Sequence, residues 1–220
     1  MELIYPKRCF GCGGRGSYFC RECRRKSLPV GQVCPQCGRA SIGGWRHSRC
    51  GRTMERLMVG MRYHGIVSLG LRRVKFGSSW AVLDDLFEWW WEKVGEELER
   101  LKTEAWVVSW IPMHEVKKRK RGFDQAEILA TKLGERLGMR VVALLKRKKK
   151  TVPQFGLGEK ERKRNLRGAF KIRSGVKKSV LKKKVLLIDD IWTTGSTMRE
   201  GARVLRKNGV EEVWGVVVAR

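Results

Sequence analysis

The segment 185–197, VLLIDDIWTTGST, restricts the fold of this chain more than any other feature. Its four leading apolar residues are of the kind found in buried parallel strands, and they run directly into Asp189 and Asp190. A helix is predicted over 196–208 and a further apolar strand over 213–219. Strand, loop, helix and strand in this order form the crossover unit of a parallel α/β sheet.

The loop inside this segment has the composition of a phosphate site. Backbone N–H groups and the dipole at the start of a helix attract an anion, and a glycine lets the backbone approach it closely. Two carboxylates beside a phosphate would repel it unless they bind sugar hydroxyls or Mg²⁺. We therefore interpret the segment as a ribose 5-phosphate site with the candidate residues Asp189, Asp190, Thr193, Thr194, Gly195, Ser196 and Thr197. The alternative is a helix capped by Ser196, with both acids in a solvent loop.

Apolar periodicity predicts the other elements of the domain. Apolar residues recur at three- and four-residue steps over 84–101 and 124–137, as on the buried face of a helix. An apolar strand over 106–111 ends at Pro112. Strands that alternate with amphipathic helices are typical of α/β proteins, so we expect a parallel sheet flanked by helices over 54–220.

The seven cysteines all lie between Cys9 and Cys50, which predicts a separate small domain over 1–53. Two thiolates two residues apart can face one Zn²⁺ at ~2.3 Å, and two such pairs complete a tetrahedron. The first candidate zinc site has this spacing twice and consists of Cys9, Cys12, Cys20 and Cys23.

The second candidate zinc site lacks one cysteine. Thr53 stands where a fourth thiolate would complete another pair, and His47 could take its place. The ligands would then be three cysteines and one histidine: Cys34, Cys37, His47 and Cys50. If His47 is not a ligand, the second site is degenerate and empty. The sequence is therefore compatible with one or two zinc ions.

No membrane insertion is predicted, since no apolar run approaches the ~20 residues that a membrane span needs. Residues 1–9 become polar after a few positions and do not resemble a signal peptide. We therefore expect a cytoplasmic protein, in which paired cysteines indicate metal ligands rather than disulfides.

The charge of the chain is strongly positive: 49 Lys and Arg against 22 Asp and Glu give a formal net charge of +27. Such an excess attracts polyanions, with nucleic acid as the first candidate and a small phosphorylated substrate as the second. The alternative is a basic but inert surface. Three basic runs stand out: 117–121, 146–150, and Lys177 and Lys178 with 182–184. The first follows a predicted strand, where binding loops of open α/β sheets emerge.

Segment 185–197 resembles the phosphoribosyl pyrophosphate motif of type I phosphoribosyltransferases. The whole chain resembles the ComF family, the competence protein F family, to which GntX-type proteins also belong. Beyond the paired cysteines and this motif, the resemblance rests on Tyr63, Val74, Lys75, Phe76, Ile111, Pro112, Arg121, Gly122, Phe123, Asp124, Gln125, Ala126, Gln154, Arg162, Arg164, Asn165, Ala169 and Phe170. The chain departs from the family pattern at Asp124, where asparagine is usual, and at Thr53, where the last cysteine is expected.

The resemblance implies a type I phosphoribosyltransferase-like sheet preceded by a double zinc ribbon. It implies that phosphoribosyl pyrophosphate, or a related ribose phosphate, binds with Mg²⁺. Asp189 and Asp190 would hold the ribose hydroxyls, and Asp190 would stabilise the oxocarbenium-like state of a transfer reaction. Further contacts to phosphoribosyl pyrophosphate are implied for Lys75, Met113, Lys117, Arg119 and Arg121.

Two functions in DNA uptake or natural transformation are compatible with the resemblance. The first is a phosphoribosyltransferase with an unidentified acceptor, for which 151–170 would form a mobile cover or a plain basic surface loop. The second is a non-catalytic protein that binds both phosphoribosyl pyrophosphate and single-stranded DNA. Trp45 and Trp80 are its candidates for base stacking, and other DNA-uptake proteins are its further partners.

Overall fold

The computed structural model describes residues 6–77, 80–102, 105–148 and 166–220, and its centre is a four-stranded parallel sheet. The strands are β1 (Arg56–Met61), β2 (Trp106–Trp110), β3 (Leu145–Arg147), β4 (Phe170–Ile172), β5 (Lys184–Ile191) and β6 (Glu212–Ala219). The parallel sheet has the order β1-β6-β5-β2, and β3 and β4 form a separate antiparallel ribbon. The predicted fold class, a parallel sheet flanked by helices, is confirmed.

Helices cover both faces of this sheet. They are α1 (Arg21–Arg25), α2 (Gly65–Gly77), α3 (Trp80–Glu99), α4 (Glu115–Arg121), α5 (Gln125–Leu137), α6 (Lys178–Leu181) and α7 (Ser196–Lys207). α2, α3 and α5 share one apolar core around Trp90 and Leu129, whereas α7 and the β3–β4 ribbon form the other around Leu205 and Phe170. Within the described ranges, no helix is long and apolar enough to cross a membrane.

The strand that carries the two aspartates is longer than predicted. β5 continues beyond Ile188, and Asp189 and Ile191 still pair with β6, at Val217 and Ala219. The expectation of a loop that starts at Asp189 was therefore wrong. The difference matters because strand pairing fixes the backbone of both aspartates, whereas a loop would leave it free to move.

The basic run 117–121 is helical, not the predicted loop. It forms most of α4, which begins after His114, whose Nδ1 accepts a hydrogen bond of 3.3 Å from the backbone N–H of Val116. α4 ends at Gly122, whose φ of 85° lies in the left-handed region that favours glycine. Helical geometry places residues four apart on one face, so only part of the run can face any one ligand.

The cysteine-rich segment packs directly on the sheet. The side-chain amide of Gln32 donates to the carbonyl of Val59 at 2.8 Å and accepts from its N–H at 3.0 Å, so it pairs with the outer strand β1 as a neighbouring strand would. Trp45 meets Trp214 of β6 edge to face at 5.0 Å. The domain boundary at residue 53 stays a prediction.

Candidate functional site

A cavity of about 300 Å³ opens where β2 and β5 end side by side. α5 follows β2 onto one face of the sheet and α7 follows β5 onto the other. Open α/β sheets bind ligands in the crevice that such a divergence leaves. The lining residues used below are Lys75, Met113, Lys117, Arg121, Asp124, Gln125, Arg147, Asp189, Asp190, Thr193 and Thr197.

The two aspartates at the end of β5 have unequal environments. Asp190 forms an ion pair of 3.0 Å with the ammonium of Lys75, and only 14% of its side chain is exposed. Burial opposes the charge of Asp190, but Lys75 outweighs it and lowers the pKa of this carboxyl. Burial, followed by the neighbouring charge of Asp190, holds the pKa of Asp189 well above its usual value. The pair thus consists of one stable anion and one carboxyl that resists ionisation.

A cationic wall faces this acid pair. Lys117 and Arg121 lie four residues apart on α4, and Arg147 joins them from β3. Burial lowers the pKa of Lys117, and the charges of Arg147, Arg121 and Lys75 lower it further. Four like charges gathered around one cavity favour the entry of an anion.

Two polar residues at the start of α5 complete the cavity. Asp124 accepts hydrogen bonds from the backbone N–H groups of Met113, at 2.7 Å, and Ala126, at 3.1 Å. It therefore caps α5 and fixes the chain after β2. Gln125 accepts from Arg121 at 2.7 Å, whereas its Nε2 has no hydrogen-bond partner among the described residues although only 3% of the residue is exposed. A buried donor without a partner at a cavity wall is suited to a ligand oxygen.

The hydroxyl-rich loop divides into residues that face the cavity and residues that shape the loop. Thr193 and Thr197 line the cavity. The hydroxyls of Thr194 and Ser196 bond each other at 2.9 Å. Gly195, with a φ of 71°, caps α7 without a side-chain hydrogen bond, so the alternative of a helix capped by Ser196 does not apply. Gly195 brings no capping side chain to the start of α7, where the helix dipole favours an anion.

Not every predicted contact lies at the cavity. Thr194, Gly195 and Ser196 are outside its lining, and so is Arg119, which is exposed on α4. Arg147 and Gln125 belong to the site but were not among the predicted contacts. Arg147 lies in the basic run 146–150, a signal too general to single it out. The proposed cover over 151–170 is described only from Leu166, and Gln154, Arg162, Arg164 and Asn165 lie outside the described residues.

Both candidate metal centres are assembled from the expected residues. Ligand atoms of Cys9, Cys12, Cys20 and Cys23 lie within 4.8 Å of one another, and so do those of Cys34, Cys37, His47 and Cys50. Thiols and an imidazole are the donor set that zinc prefers.

Their surroundings also fit a metal. The backbone N–H groups of Gly11 and Cys20 donate to the Sγ of Cys9, and such bonds outweigh burial and lower the pKa of Cys9 to about 6. The Nε2 of His47 lies 3.1 Å from the carbonyl of Ala40, while its Nδ1 lies 3.4 Å from the Sγ of Cys37. A carbonyl that holds one ring nitrogen leaves the other directed at the metal.

Comparison with known proteins identifies two domain families in the chain. Residues 119–220 match the phosphoribosyl transferase domain, and residues 1–54 match the double zinc ribbon domain. The chain is 29% identical to competence protein F of Haemophilus influenzae, with 100% of both chains covered. The chain is thus a full-length homologue of competence protein F. It is also 28% identical to the DNA utilization protein YhgH of Escherichia coli K12, over 89% of this chain and 88% of that protein.

Two partial similarities accompany these full-length ones. Competence protein ComFC of Streptococcus pneumoniae is 34% identical over 54% of this chain and 50% of its own length. A solved structure of the allosteric regulatory enzyme of purine biosynthesis covers 56% of this chain and 24% of its own, with 20% identity and a TM-score of 0.34. The last value is too low for a functional conclusion.

Asp124 stands where the resemblance leads to the expectation of an asparagine, and its side chain forms two hydrogen bonds with the backbone. Both bonds use a carboxylate oxygen as acceptor of a backbone N–H. Burial raises the pKa of Asp124, because the charged form is desolvated.

Alanine at Gly195 is expected to disrupt the phosphate loop. A left-handed φ costs a non-glycine residue about 1–2 kcal/mol, and a Cβ at this position would lie 2.1 Å from the Trp192 ring, an overlap of a kind that costs about 1–3 kcal/mol more. Gly209→Ala is the matched control, since Gly209 has a φ of 99° and nothing within 4 Å of its Cβ. Chemical denaturation should show a larger loss of stability for Gly195→Ala. Equal losses would mean that the Trp192 contact has no effect.

Proposed function

We propose that the chain binds phosphoribosyl pyrophosphate together with Mg²⁺ in the cavity at the ends of β2 and β5. The observation that carries the proposal is that one cavity has an acid pair, a cationic wall and a hydroxyl-bearing loop. Asp189 and Asp190 suit the two ribose hydroxyls, because carboxylates accept hydrogen bonds from both. The loop with Thr193 and Thr197 suits the 5-phosphate.

The cationic wall suits the pyrophosphate group. Lys117 and Arg121 point into the cavity from α4, and Arg147 points in from β3. The buried Nε2 of Gln125 adds a neutral donor beside Arg121. When bound, Mg²⁺ neutralises part of the negative charge of the pyrophosphate and makes it a better leaving group.

The same residues fit a transfer reaction. Pyrophosphate leaves C1 of the ribose with the bonding electron pair, and an acceptor nitrogen replaces it. Asp190 is held as an anion by Lys75, and a fixed anion stabilises the positive charge that develops on the sugar. Nothing in the described residues identifies the acceptor, so a protein that binds the ligand without transfer fits the same cavity.

Addition of Mg²⁺ and phosphoribosyl pyrophosphate is expected to raise the melting temperature of the purified protein. Ligand at about 100 times its Kd stabilises a protein by ~2.7 kcal/mol, and ~1 kcal/mol shifts the melting temperature of a chain of this size by about 2–4 °C. Differential scanning fluorimetry measures the shift. EDTA should reduce it, and ribose 5-phosphate, which lacks the pyrophosphate, should produce a smaller one. Absence of any shift would contradict the proposal.

Affinity for this ligand is expected to rise with pH and then level off. Burial and the charge of Asp190 raise the pKa of Asp189 in the free protein. Ribose hydroxyls and Mg²⁺ favour the ionised carboxyl of Asp189, so this carboxyl releases a proton when the ligand binds. Below the pKa that Asp189 has in the free protein, release of this proton costs free energy, and the affinity for the ligand is lower. Calorimetric titrations in two buffers with different protonation enthalpies measure this proton, after correction for the phosphates of the ligand. Equal binding heats in both buffers would count against the release of a proton by Asp189.

We propose a role in DNA uptake, with binding of single-stranded DNA as a second candidate function. The net charge of +27 and the names of the relatives, competence protein and DNA utilization protein, support it. Trp45 is 44% exposed, although Trp214 and the guanidinium of Arg56 already contact its ring. The side chain of Trp80 lies outside the described part. The cytoplasm is the compartment where such a protein would meet an incoming strand.

Binding to a short oligothymidylate is expected to weaken steeply with salt. The logarithm of the affinity for a single strand falls with the logarithm of salt concentration by about 0.7 per phosphate contacted. Fluorescence anisotropy over a range of potassium chloride concentrations measures this slope. A flat response would indicate an electrostatically inert surface.

A further inference from the structure

A second cavity, of about 430 Å³, adjoins the first and shares Ile191 and Thr193 with it. It lies beside the carboxyl ends of β1 and β6, at the opposite end of the loop from the cationic wall. Residues 29–31 of the zinc ribbon form one side of it. The remaining lining comes from Arg62, Tyr63, Trp192 and Arg220. Its volume falls within the range of about 300–1,000 Å³ that is common for small-molecule sites.

The cavity has cationic groups whose charge is not neutralised nearby. Neither Arg62 nor Arg220 has a side-chain hydrogen bond or an ion pair among the described residues, and no acidic side chain lines the cavity. Arginines elsewhere on the ribbon side differ, since Arg46 pairs with Glu55 at 2.5 Å and Arg56 with Glu97 at 2.6 Å. Two guanidinium groups in one concavity are suited to a phosphate, which they can bind through paired N–H groups.

The backbone fixes the positions from which these two arginines extend. The N–H of Tyr63 donates to the carbonyl of Arg220 at 2.6 Å, and the N–H of Arg220 donates to the carbonyl of Met61 at 3.1 Å. Arg62 stands between the two residues that make these bonds. Arg62 and Arg220 are therefore neighbouring residues at the edge of the sheet.

Aromatic groups give the cavity a second kind of wall. Trp192 is almost fully buried, since the guanidinium of Arg199 lies 5.4 Å from its ring and Gly195 leaves no free space against it. It is a rigid apolar surface. Tyr63 is exposed to 37%, so its ring is accessible to a planar group. Aromatic rings stack on nucleobases of any sequence.

We propose that this second cavity binds a nucleotide, with its base against Tyr63 and its phosphate on Arg62 and Arg220. The proposal rests on the proposed function, because the shared residues Ile191 and Thr193 place the nucleotide beside the site proposed for phosphoribosyl pyrophosphate. A free nucleoside monophosphate and one nucleotide of a single-stranded DNA present the same chemistry to the cavity.

Binding of two probes, dTMP and a short oligothymidylate, tests the nucleotide site. Equilibrium dialysis is carried out with the unmutated protein and with Arg62→Ala, Arg220→Ala and the double variant. Loss of charge-assisted bonds to phosphate is expected to weaken binding of at least one probe by about tenfold or more. Arg140→Ala is the matched control, because Arg140 is exposed, lies away from both cavities and carries the same charge.

The outcomes distinguish a free nucleotide from a nucleotide within DNA, and they distinguish the nucleotide site from the site proposed for phosphoribosyl pyrophosphate. Weaker binding of both probes indicates that a free nucleotide fits, and weaker binding of the oligonucleotide alone indicates a nucleotide within DNA. The inference is overturned if neither probe binds, if Arg140→Ala weakens binding as much, or if the variants lose Mg²⁺–phosphoribosyl pyrophosphate instead. Affinity for the latter, measured on the same proteins without a probe, reports on the proposed function independently.

Discussion

Serine in place of Cys20 is expected to reduce the zinc content from two ions per chain to one and to lower the melting temperature sharply. Cys20 belongs to the first metal cluster, with Cys9, Cys12 and Cys23. A structural zinc site contributes about 10–16 kcal/mol of binding free energy, much of which is folding free energy. Since ~1 kcal/mol corresponds to about 2–4 °C in a chain of this size, we expect a drop of at least ~10 °C. Elemental analysis and calorimetry measure the two quantities.

The effect should extend beyond the ribbon because the first cluster is joined to the main core. Phe19 precedes Cys20, is fully buried, and packs against Trp89 of α3 with ring centroids 5.5 Å apart. A Cβ at Gly70 of α2 would come within 2.4 Å of the Phe19 ring, so the helix and this ring are in close contact. Loss of zinc frees the chain next to Phe19 and exposes the core that α2 and α3 share.

The matched control is Cys50→Ser, which removes one ligand from the second cluster. That cluster is linked to the phosphate loop instead, since Arg199 donates to the carbonyl of Pro35, at 3.2 Å, and also to that of Thr194. Cys50→Ser should therefore lose one zinc ion with a smaller drop in melting temperature and a larger loss of Mg²⁺–phosphoribosyl pyrophosphate affinity. If Cys20→Ser and Cys50→Ser have the same effects on melting temperature and on this affinity, the two clusters do not differ in this way.

The part of the site that could be predicted from the sequence consists of residues that lie close together along the chain. The acid pair, the hydroxyl loop and α7 follow one another along the chain, so a short stretch of sequence contains both the structure and its chemistry. The paired cysteines are local in the same sense. In the second cluster, a turn of the chain is enough to bring His47 to Cys37, as the spacing suggested, and the structure has these two side chains in contact.

The contacts that sequence reasoning missed are those between distant segments. Nothing local indicates that Arg147, rather than its basic neighbours, reaches the cavity, because the choice depends on how the β3–β4 ribbon packs in the core on one face of the sheet. The loop predicted for 117–121 was wrong for a related reason. Five consecutive basic residues repel one another, but the cap by His114 and the bonds of Lys118 to Glu127 and of Arg121 to Gln125 stabilise the helix. Lys117 and Arg121 of this helix line the cavity. The second cavity is lined by four separate segments of the chain and had no sequence signal.

Asparagine in place of Asp190 is expected to weaken binding of Mg²⁺–phosphoribosyl pyrophosphate by about tenfold to a hundredfold. A hydrogen bond to a charged group contributes about 1.5–3 kcal/mol, which corresponds to this range of affinity. Asp190 is the anion of the pair, because Lys75 lies 3.0 Å away and lowers its pKa. Asparagine keeps the shape of the side chain and removes its charge. The loss of affinity therefore measures the contribution of the negative charge that is proposed to face the ribose.

The same change at Asp189 should have a different signature. Burial and the charge of Asp190 raise the pKa of Asp189, so in the free protein this carboxyl holds a proton more tightly than an ordinary aspartate does. Asp189→Asn is therefore expected to remove the proton release that accompanies binding, whereas Asp190→Asn lowers the pKa of Asp189 and shifts that release to lower pH. Titration calorimetry across pH distinguishes the two variants. Asp84→Asn is the matched control, since it removes the same charge from a surface ion pair with Lys132. If Asp190→Asn binds as tightly as Asp84→Asn, the acid pair does not hold the ribose.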